Sequence, residues 1–147
     1  MDKGDWTPWF CGLALLLAWQ ANGLAATVEL KGDARGHFLT RASIDNTDIN
    51  VVIDTGATTV VLSQEDAEAV GLDPGKLDYG MSVATANGIV NCAKVTLRRV
   101  AVGSILLRDV EALVLPRGAF AGTLLGMSFL SRLKGFRVRD GVLVLEK

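Results

Sequence analysis

From residue 27 onward, apolar and polar positions alternate over short runs broken by turn-forming residues, a period-2 pattern that predicts strands. Thr27–Leu30 is the first. His37–Ile44 and Ile49–Asp54 follow, separated by "DNTD" (Asp45–Asp48), a polar stretch that reads as a hairpin loop. Val60–Leu62 is apolar throughout. Ser63 then opens a helix: S-Q-E-D is a capping box with Asp66 where Glu is preferred, Ala67 and Val70 face inward, and Gly71 ends the element. "GLDPGKLDYG" is a loop. Met81–Thr85 and Ile89–Leu97 are strands joined across Ala86, Asn87 and Gly88, and Asn-Gly is a strong hairpin signal. Val100–Val102, Ile105–Val110 and Ala112–Leu115 are further strands, the first two joined at Gly103-Ser104. Beyond Pro116, a stretch punctuated by Gly118 and Gly122 leads into "TLLGMSFLSRL". That segment enters a short helix near Ser128 with Phe129, Leu130 and Leu133 on one face. "FRVRDGVLVLE" closes as a hairpin on Asp140-Gly141. Its last strand, Val142–Leu145, is apolar on both faces and needs cover on both. A subunit interface would supply that cover, and so would a central place in its own sheet.

Half of the 147 residues are apolar, which allows one domain with a real core and excludes a disordered chain. Part of that content lies in Trp9–Trp19, about 16 Å long as a helix at 1.5 Å per residue. This falls short of the ~20 residues that span a bilayer, unless Gln20, Asn22 and Gly23 sit in the far interface. Leu24-Ala25-Ala26 loosely fits a signal-peptidase site, although Asp2 and Asp5 outweigh Lys3 ahead of it. The flanking Trp residues suit a membrane interface. A buried helix of the domain is the plainer alternative, but it would have little to pack on at the extreme terminus. Residues 1–26 therefore read as a signal peptide or membrane anchor, and 27–147 as a domain outside the cytoplasm.

The chain carries 15 basic and 16 acidic side chains; setting aside Asp2, Lys3 and Asp5 leaves 14 of each, so no basic face points to nucleic acid. Cys11 and Cys92 make no disulfide framework. Cys92 reads as a small buried apolar residue. As a catalytic thiol it would need a basic partner, and the one histidine, His37, lies 55 residues upstream at the start of an extended segment. One His and two Cys are also too few ligands of the usual kind for zinc.

The stretch "VVIDTGATTVVL" places Asp54 between two apolar runs, which predicts that the turn Thr55-Gly56-Ala57-Thr58 is largely enclosed. Burying an isolated carboxylate costs on the order of several kcal/mol and favours its protonation. Asp54 therefore needs hydrogen bonds: Gly56 permits close backbone approach, and Thr55 and Thr58 bring hydroxyls. An ordinary β-turn whose Asp caps its own backbone would read the same way. Carboxylate catalysis, however, uses one protonated and one ionised group, and this chain holds a single Asp-Thr-Gly.

Three further features accompany the turn. "TANG" (Thr85–Gly88) is a hairpin tip about thirty residues downstream, "LLG" (Leu124–Gly126) runs straight into a helix, and Arg139-Asp140-Gly141 turns the closing hairpin. Taken singly, these are a surface hairpin, core packing and a chain end. Together with "IDTGAT", in this order, they resemble the retropepsin-like aspartic proteases, nearest to a bacterial branch of single-domain, N-terminally anchored enzymes, from about Gly36 to Leu145. The resemblance implies an all-β fold: a closed or partly open barrel, half of a pepsin-like molecule, with one or two short helices and a hydrophobic segment ahead of it. It implies an aspartic endopeptidase acting as a symmetric homodimer, each subunit lending one Asp54 across an isologous interface. Asp54 would be catalytic, supported by Thr55, Gly56, Ala57 and Thr58, with Thr55 locking the two turns together. Thr85, Ala86, Asn87 and Gly88 would form a flap over an extended peptide or protein substrate. Leu124, Leu125 and Gly126 would lie structurally near the site. The resemblance implies neither a metal nor an organic cofactor. The expected location is the bacterial inner membrane facing the periplasm, or the periplasm itself if the leader is removed. Apolar walls at Met81, Val83, Ile89, Val114 and Leu115 would favour apolar side chains beside the cleaved bond. The alternative is a non-catalytic dimeric module of the same fold that binds extended peptides.

Overall fold

The computed structural model describes residues 25–85 and 88–147. The expected leader, apart from its last two residues, and the expected flap-tip residues Ala86 and Asn87 lie outside the described residues. Among those described, no helix is long and apolar enough to cross a membrane. The strands are β1 (Thr27–Lys31), β2 (Phe38–Ile44), β3 (Thr47–Ile53), β4 (Val60–Leu62), β5 (Met81–Thr85), β6 (Gly88–Val102), β7 (Ile105–Val114), β8 (Thr123–Leu125), β9 (Gly135–Arg139) and β10 (Val142–Glu146). Two short helices, α1 (Gln64–Ala69) and α2 (Met127–Leu130), complete the fold with a 3-10 turn at Pro74–Lys76. The all-β expectation holds.

Strands β2, β3, β8, β4, β7 and β6 are hydrogen-bonded in that order, and β2 returns to pair with β6, so the barrel is closed. The closing seam is short, with only Ser43 opposite Ala101 and Ile44 opposite Val100. Asp45 extends it: its N–H donates to the Arg99 carbonyl at 3.0 Å, and its Oδ1 accepts from the Arg99 N–H at 2.9 Å. Every second residue of these strands faces inward, and Ile44, Val60, Leu62, Leu97, Val100 and Leu125 are fully buried there. Phe129 and Leu130 of α2 pack on the same core, as their spacing predicts.

The hairpin expected at "DNTD" is tighter than its polarity suggests. Only Asp45 and Asn46 turn, at φ 46° and 75°, while Thr47 and Asp48 join β3. Asp and Asn tolerate the left-handed region that a two-residue hairpin turn demands. The strands expected on either side of Arg98-Arg99 are one continuous β6, and those around Asp109-Val110-Glu111 are one β7. Asp109, at φ 53°, absorbs the irregularity opposite Arg98, where the ladder lacks a pair. In α1, Ser63 Oγ caps the Asp66 N–H at 3.1 Å. The reciprocal half of the capping box is not made, because the Asp66 carboxylate accepts from Thr123 Oγ1 at 2.8 Å and the Ser63 N–H donates to the Gly122 carbonyl at 2.9 Å. The polar ends of α1 are thus spent on tying the helix to β8.

β1, β10 and β9 form a separate antiparallel sheet in that order. Of the two covers open to Val142–Leu145, the fold takes the internal one. β10 is paired on both edges, and Leu143, Val144 and Leu145 are buried within a single subunit. β1 and β9 are the edge strands of this sheet. Because Leu145 is wholly buried, Leu145→Ala is expected to cost about 2–5 kcal/mol of unfolding free energy. The measurement is the urea midpoint, which should fall with its slope unchanged.

Candidate active site

The residues around Asp54 are held by an interlock of β3, β4 and β8. β3 runs parallel to β8, with Val52 opposite Leu124 and Ile53 opposite Leu125; β4 runs antiparallel on its other side, with Val61 opposite Leu124. The segment joining β3 to β4 must therefore arc across the end of β8. It does so over Gly126. A Cβ there would sit 2.2 Å from the Thr59 carbonyl oxygen and 2.7 Å from that of Ala57, distances no side chain can occupy. The bare backbone instead lets the Met127 N–H donate to the Ala57 carbonyl at 2.8 Å, while the Asp54 N–H donates to the Leu125 carbonyl at 3.1 Å.

Within the turn, the Gly56 N–H donates to Asp54 Oδ1 at 2.8 Å, and the Ala57 N–H donates to the Asp54 carbonyl at 3.3 Å. Glycine is suited to this place: a Cβ on Gly56 would come within 3.1 Å of the same carboxylate oxygen. The expected enclosure is not found. Asp54 is half-buried, and Thr55, Gly56 and Thr58 are exposed, because the turn projects past the end of the barrel where the rest of the described chain offers no cover. The support on the carboxylate within the subunit is the backbone of Gly56.

The two leucines beside Gly126 part company. Leu125 is fully buried in the barrel core, whereas Leu124 faces outward and is half-buried. Leu124 belongs to a register-matched row across the outer barrel face: Leu39 opposite Val52, Val52 opposite Leu124, Leu124 opposite Val61, Val61 opposite Leu113. Strand alternation puts Val52 on the same side of the chain as Asp54, so the row forms an apolar floor beside the carboxylate. Val52 and Val61 carry this floor and do not stand out as site residues in the sequence. The available signal was the period-2 relation of Val52 to Asp54.

At its far end the floor joins a second, smaller core of Cys92, Leu113 and Leu115, on which Val61, Val83, Val90 and Phe120 pack. This is the base of the β5–β6 hairpin; at the opposite end Thr85 stands opposite Gly88, and Thr85 Oγ1 donates to the Gly88 carbonyl at 2.8 Å. Of the expected apolar walls, Val83 packs on this second core. Val114 and Leu115 are buried and cannot line a groove. Val114 points into the barrel because β7 continues unbroken to that residue. Ile89 is 79% exposed on the hairpin face opposite Val83, and Met81 is 44% exposed. Cys92 is fully buried, and burial pushes its thiol pKa up, so it behaves as an apolar residue.

On its other flank, Asp54 lies in a shallow depression lined by Phe38, Ile53, Thr55, Phe136 and Val138. The loop before β2 forms one wall and is ordered by Asp33. Its Oδ1 accepts from the backbone N–H groups of His37 and Arg35, both at 2.8 Å, and these bonds, the former foremost, hold the Asp33 carboxyl below its ordinary pKa. His37 itself is a half-exposed surface residue, 3.5 Å from Asp33. Among the described residues, no cluster of His, Cys, Asp and Glu could hold a metal ion.

α2 contributes one more anchor. Ser128 Oγ accepts from the Val60 N–H at 2.9 Å and donates to the Glu111 carbonyl at 2.7 Å, joining the helix to both β4 and β7. Ser128→Ala leaves both backbone groups without this partner and should cost roughly 1–3 kcal/mol. Gly126→Ala should be the harsher change, because no rotamer relieves a clash of Cβ with backbone. Thermal melting of both variants checks this order.

Residues 40–132 match the family model described as "gag-polyprotein putative aspartyl protease". An uncharacterized protein of Sinorhizobium sp. is 42% identical over 118 residues, 80% of this chain and 51% of that protein. The chain spans about half the length of the curated relatives it matches. The crystal structure of a retropepsin-like aspartic protease from Rickettsia conorii superposes with a TM-score of 0.75 at 35% identity, covering 83% of this chain and 91% of that one. The protease of EIAV, solved with the inhibitor HBY-793, shares the fold at 23% identity with a TM-score of 0.57, over 70% of this chain and 93% of its own. The fold is thus shared with solved proteases, and the chain belongs to the retropepsin-like aspartic protease family.

Proposed function

We propose that this chain is one subunit of a homodimeric aspartic endopeptidase, in which Asp54 and the Asp54 of a second copy form the catalytic pair. The observation that carries this reading is the setting of Asp54. It is a half-buried carboxylate held on one oxygen by the Gly56 N–H, at the outward end of a strand that begins an apolar floor. One carboxylate cannot be acid and base at once, and Asp-Thr-Gly occurs once in the chain. A two-fold axis beside the exposed turn supplies the second group.

Two carboxylates about 3 Å apart cannot both ionise, so the pair shares one proton. A water between them loses a proton to the ionised Asp54 as it attacks the scissile carbonyl. The protonated Asp54 donates to the carbonyl oxygen, and a proton is later returned to the departing amine. Thr55, which is exposed, would bond across the axis to hold the two turns together. The peptide lies extended between the floor and the β5–β6 hairpin, bound through its backbone as an added strand is. Val52, Leu124 and Val61 favour apolar side chains next to the cleaved bond. Ala86 and Asn87 would complete the tip of the hairpin over it.

Asp54→Asn keeps the shape and the Gly56 hydrogen bond but removes the titrating group. Cleavage of apolar-centred peptides is expected to fall by about 10²–10⁴-fold or more, with melting temperature and mass in solution unchanged. Full activity in that variant would refute the mechanism.

A further inference from the structure

The connection from β7 to β8 lies outside every strand, yet it borders the apolar floor. Strand-type pairing stops where the Leu115 N–H donates to the Leu62 carbonyl at 3.0 Å. It resumes where the Gly122 carbonyl accepts from the Ser63 N–H at 2.9 Å. Gly122 stands two residues before Leu124 of the floor. Between these points Ala119 and Phe120 pack on the small core beside Val61, where the floor meets the β5–β6 hairpin. The segment from Pro116 to Gly122 therefore forms the end wall of the groove between floor and hairpin.

This wall is fastened from behind, on α1. The Arg117 N–H donates to Gln64 Oε1 at 3.0 Å, its Nη1 to Glu65 Oε1 at 2.7 Å, and its Nη2 to Glu68 Oε1 at 3.2 Å. Gln64 Nε2 donates to the same Glu68 oxygen at 3.2 Å, so main chain, amide, carboxylate and guanidinium close a ring. Residues four apart on a helix are surface neighbours, which is why Gln64 and Glu68 can share one partner. The planar fork of arginine bridges two carboxylates in a way that the point charge of lysine does not. An isolated exposed ion pair contributes little, but several charges joined in a network that also holds the backbone fix a geometry. α1 is in turn tied to the start of β8, from Ser63 to Gly122 and from Asp66 to Thr123. One helix thus grips the loop near both ends, and Phe120 lies between the two grips.

We propose that Arg117 is a positioning residue of the peptide groove. Its clamp on α1 holds Phe120 at the junction of floor and hairpin, and so sets how firmly the groove grips an apolar side chain at its far end. This rests on the reading of the chain as an aspartic endopeptidase and adds a determinant of its peptide affinity. Arg117 acts through Phe120, with its own side chain engaged on α1. An interaction of this kind is made equally in the ground state and the transition state. Its loss therefore raises KM and leaves kcat unchanged.

Kinetics and hydrogen exchange together test the clamp. In the full chain, Arg117→Gln removes both ion pairs and keeps the backbone N–H that meets Gln64. KM for apolar-centred peptides should rise about three- to tenfold, the scale of a small charge network, with kcat within about twofold of the native value. Hydrogen exchange at residues 117–121 should quicken, with circular dichroism unchanged. Glu65→Gln with Glu68→Gln should reproduce both changes, and combining it with Arg117→Gln should add nothing further, because the groups act as one unit. Arg117→Lys should recover part of the affinity. Unchanged KM in Arg117→Gln, or a fall in kcat in its place, overturns the positioning role; Asp54-dependent cleavage by the native chain then leaves the protease reading standing. Faster exchange in Arg117→Gln, in a protein whose native chain shows no Asp54-dependent cleavage, supports the clamp and counts against the protease reading.

Discussion

The outer face of the barrel depends on one backbone contact, the passage of the 54–59 segment over Gly126. β8 lies between β3 and β4, so the connection between those strands has to cross the end of β8 at a distance that excludes any side chain. Hydrogen bonds on either side of the glycine, from Asp54 to Leu125 and from Met127 to Ala57, make the crossing a fixed angle. Ser128 extends the hold to β4 and β7. A carboxylate on a loop would wander among rotamers and backbone states. Here the main chain that carries it is tied to the barrel on both sides, which is the kind of rigid support a catalytic group needs.

The same crossing splits the apolar residues of three strands between two uses. Ile53 and Leu125 close the barrel core, while Val52, Leu124 and Val61 lie across the outer face and lead to the small core under the β5–β6 hairpin. The hairpin thus rests on a continuation of the floor it would cover. It is also the part with the least cover: Met81, Ser82, Ala84 and Thr85 are exposed, and packing resumes at Val83, Val90 and Cys92.

An open strand edge with apolar side chains is a liability for a soluble molecule, and stable proteins shorten it, charge it or cover it. β9 carries Arg137 and Arg139 on one face, which blunts that side, but Phe136 and Val138 on the other remain uncovered.

Much of the local structure was legible in the sequence because it rests on near neighbours. Alternation gave the strands, Asn and Asp with Gly marked the hairpins, and Ser63 announced α1. What period-2 alternation cannot say is which of two opposite faces is covered, since that depends on strand order. Leu124 and Leu125 are chemically the same, yet one faces outward and one lies in the core, because β8 is inserted between β3 and β4 from seventy residues away. For the same reason Val114 and Leu115 became core residues, Val52 and Val61 became the floor, and β9 was left at the edge in place of β10. The chain by itself determined which residues could do chemistry; the pairing of distant strands decided which of them face water, and therefore which of them can meet a substrate or another copy.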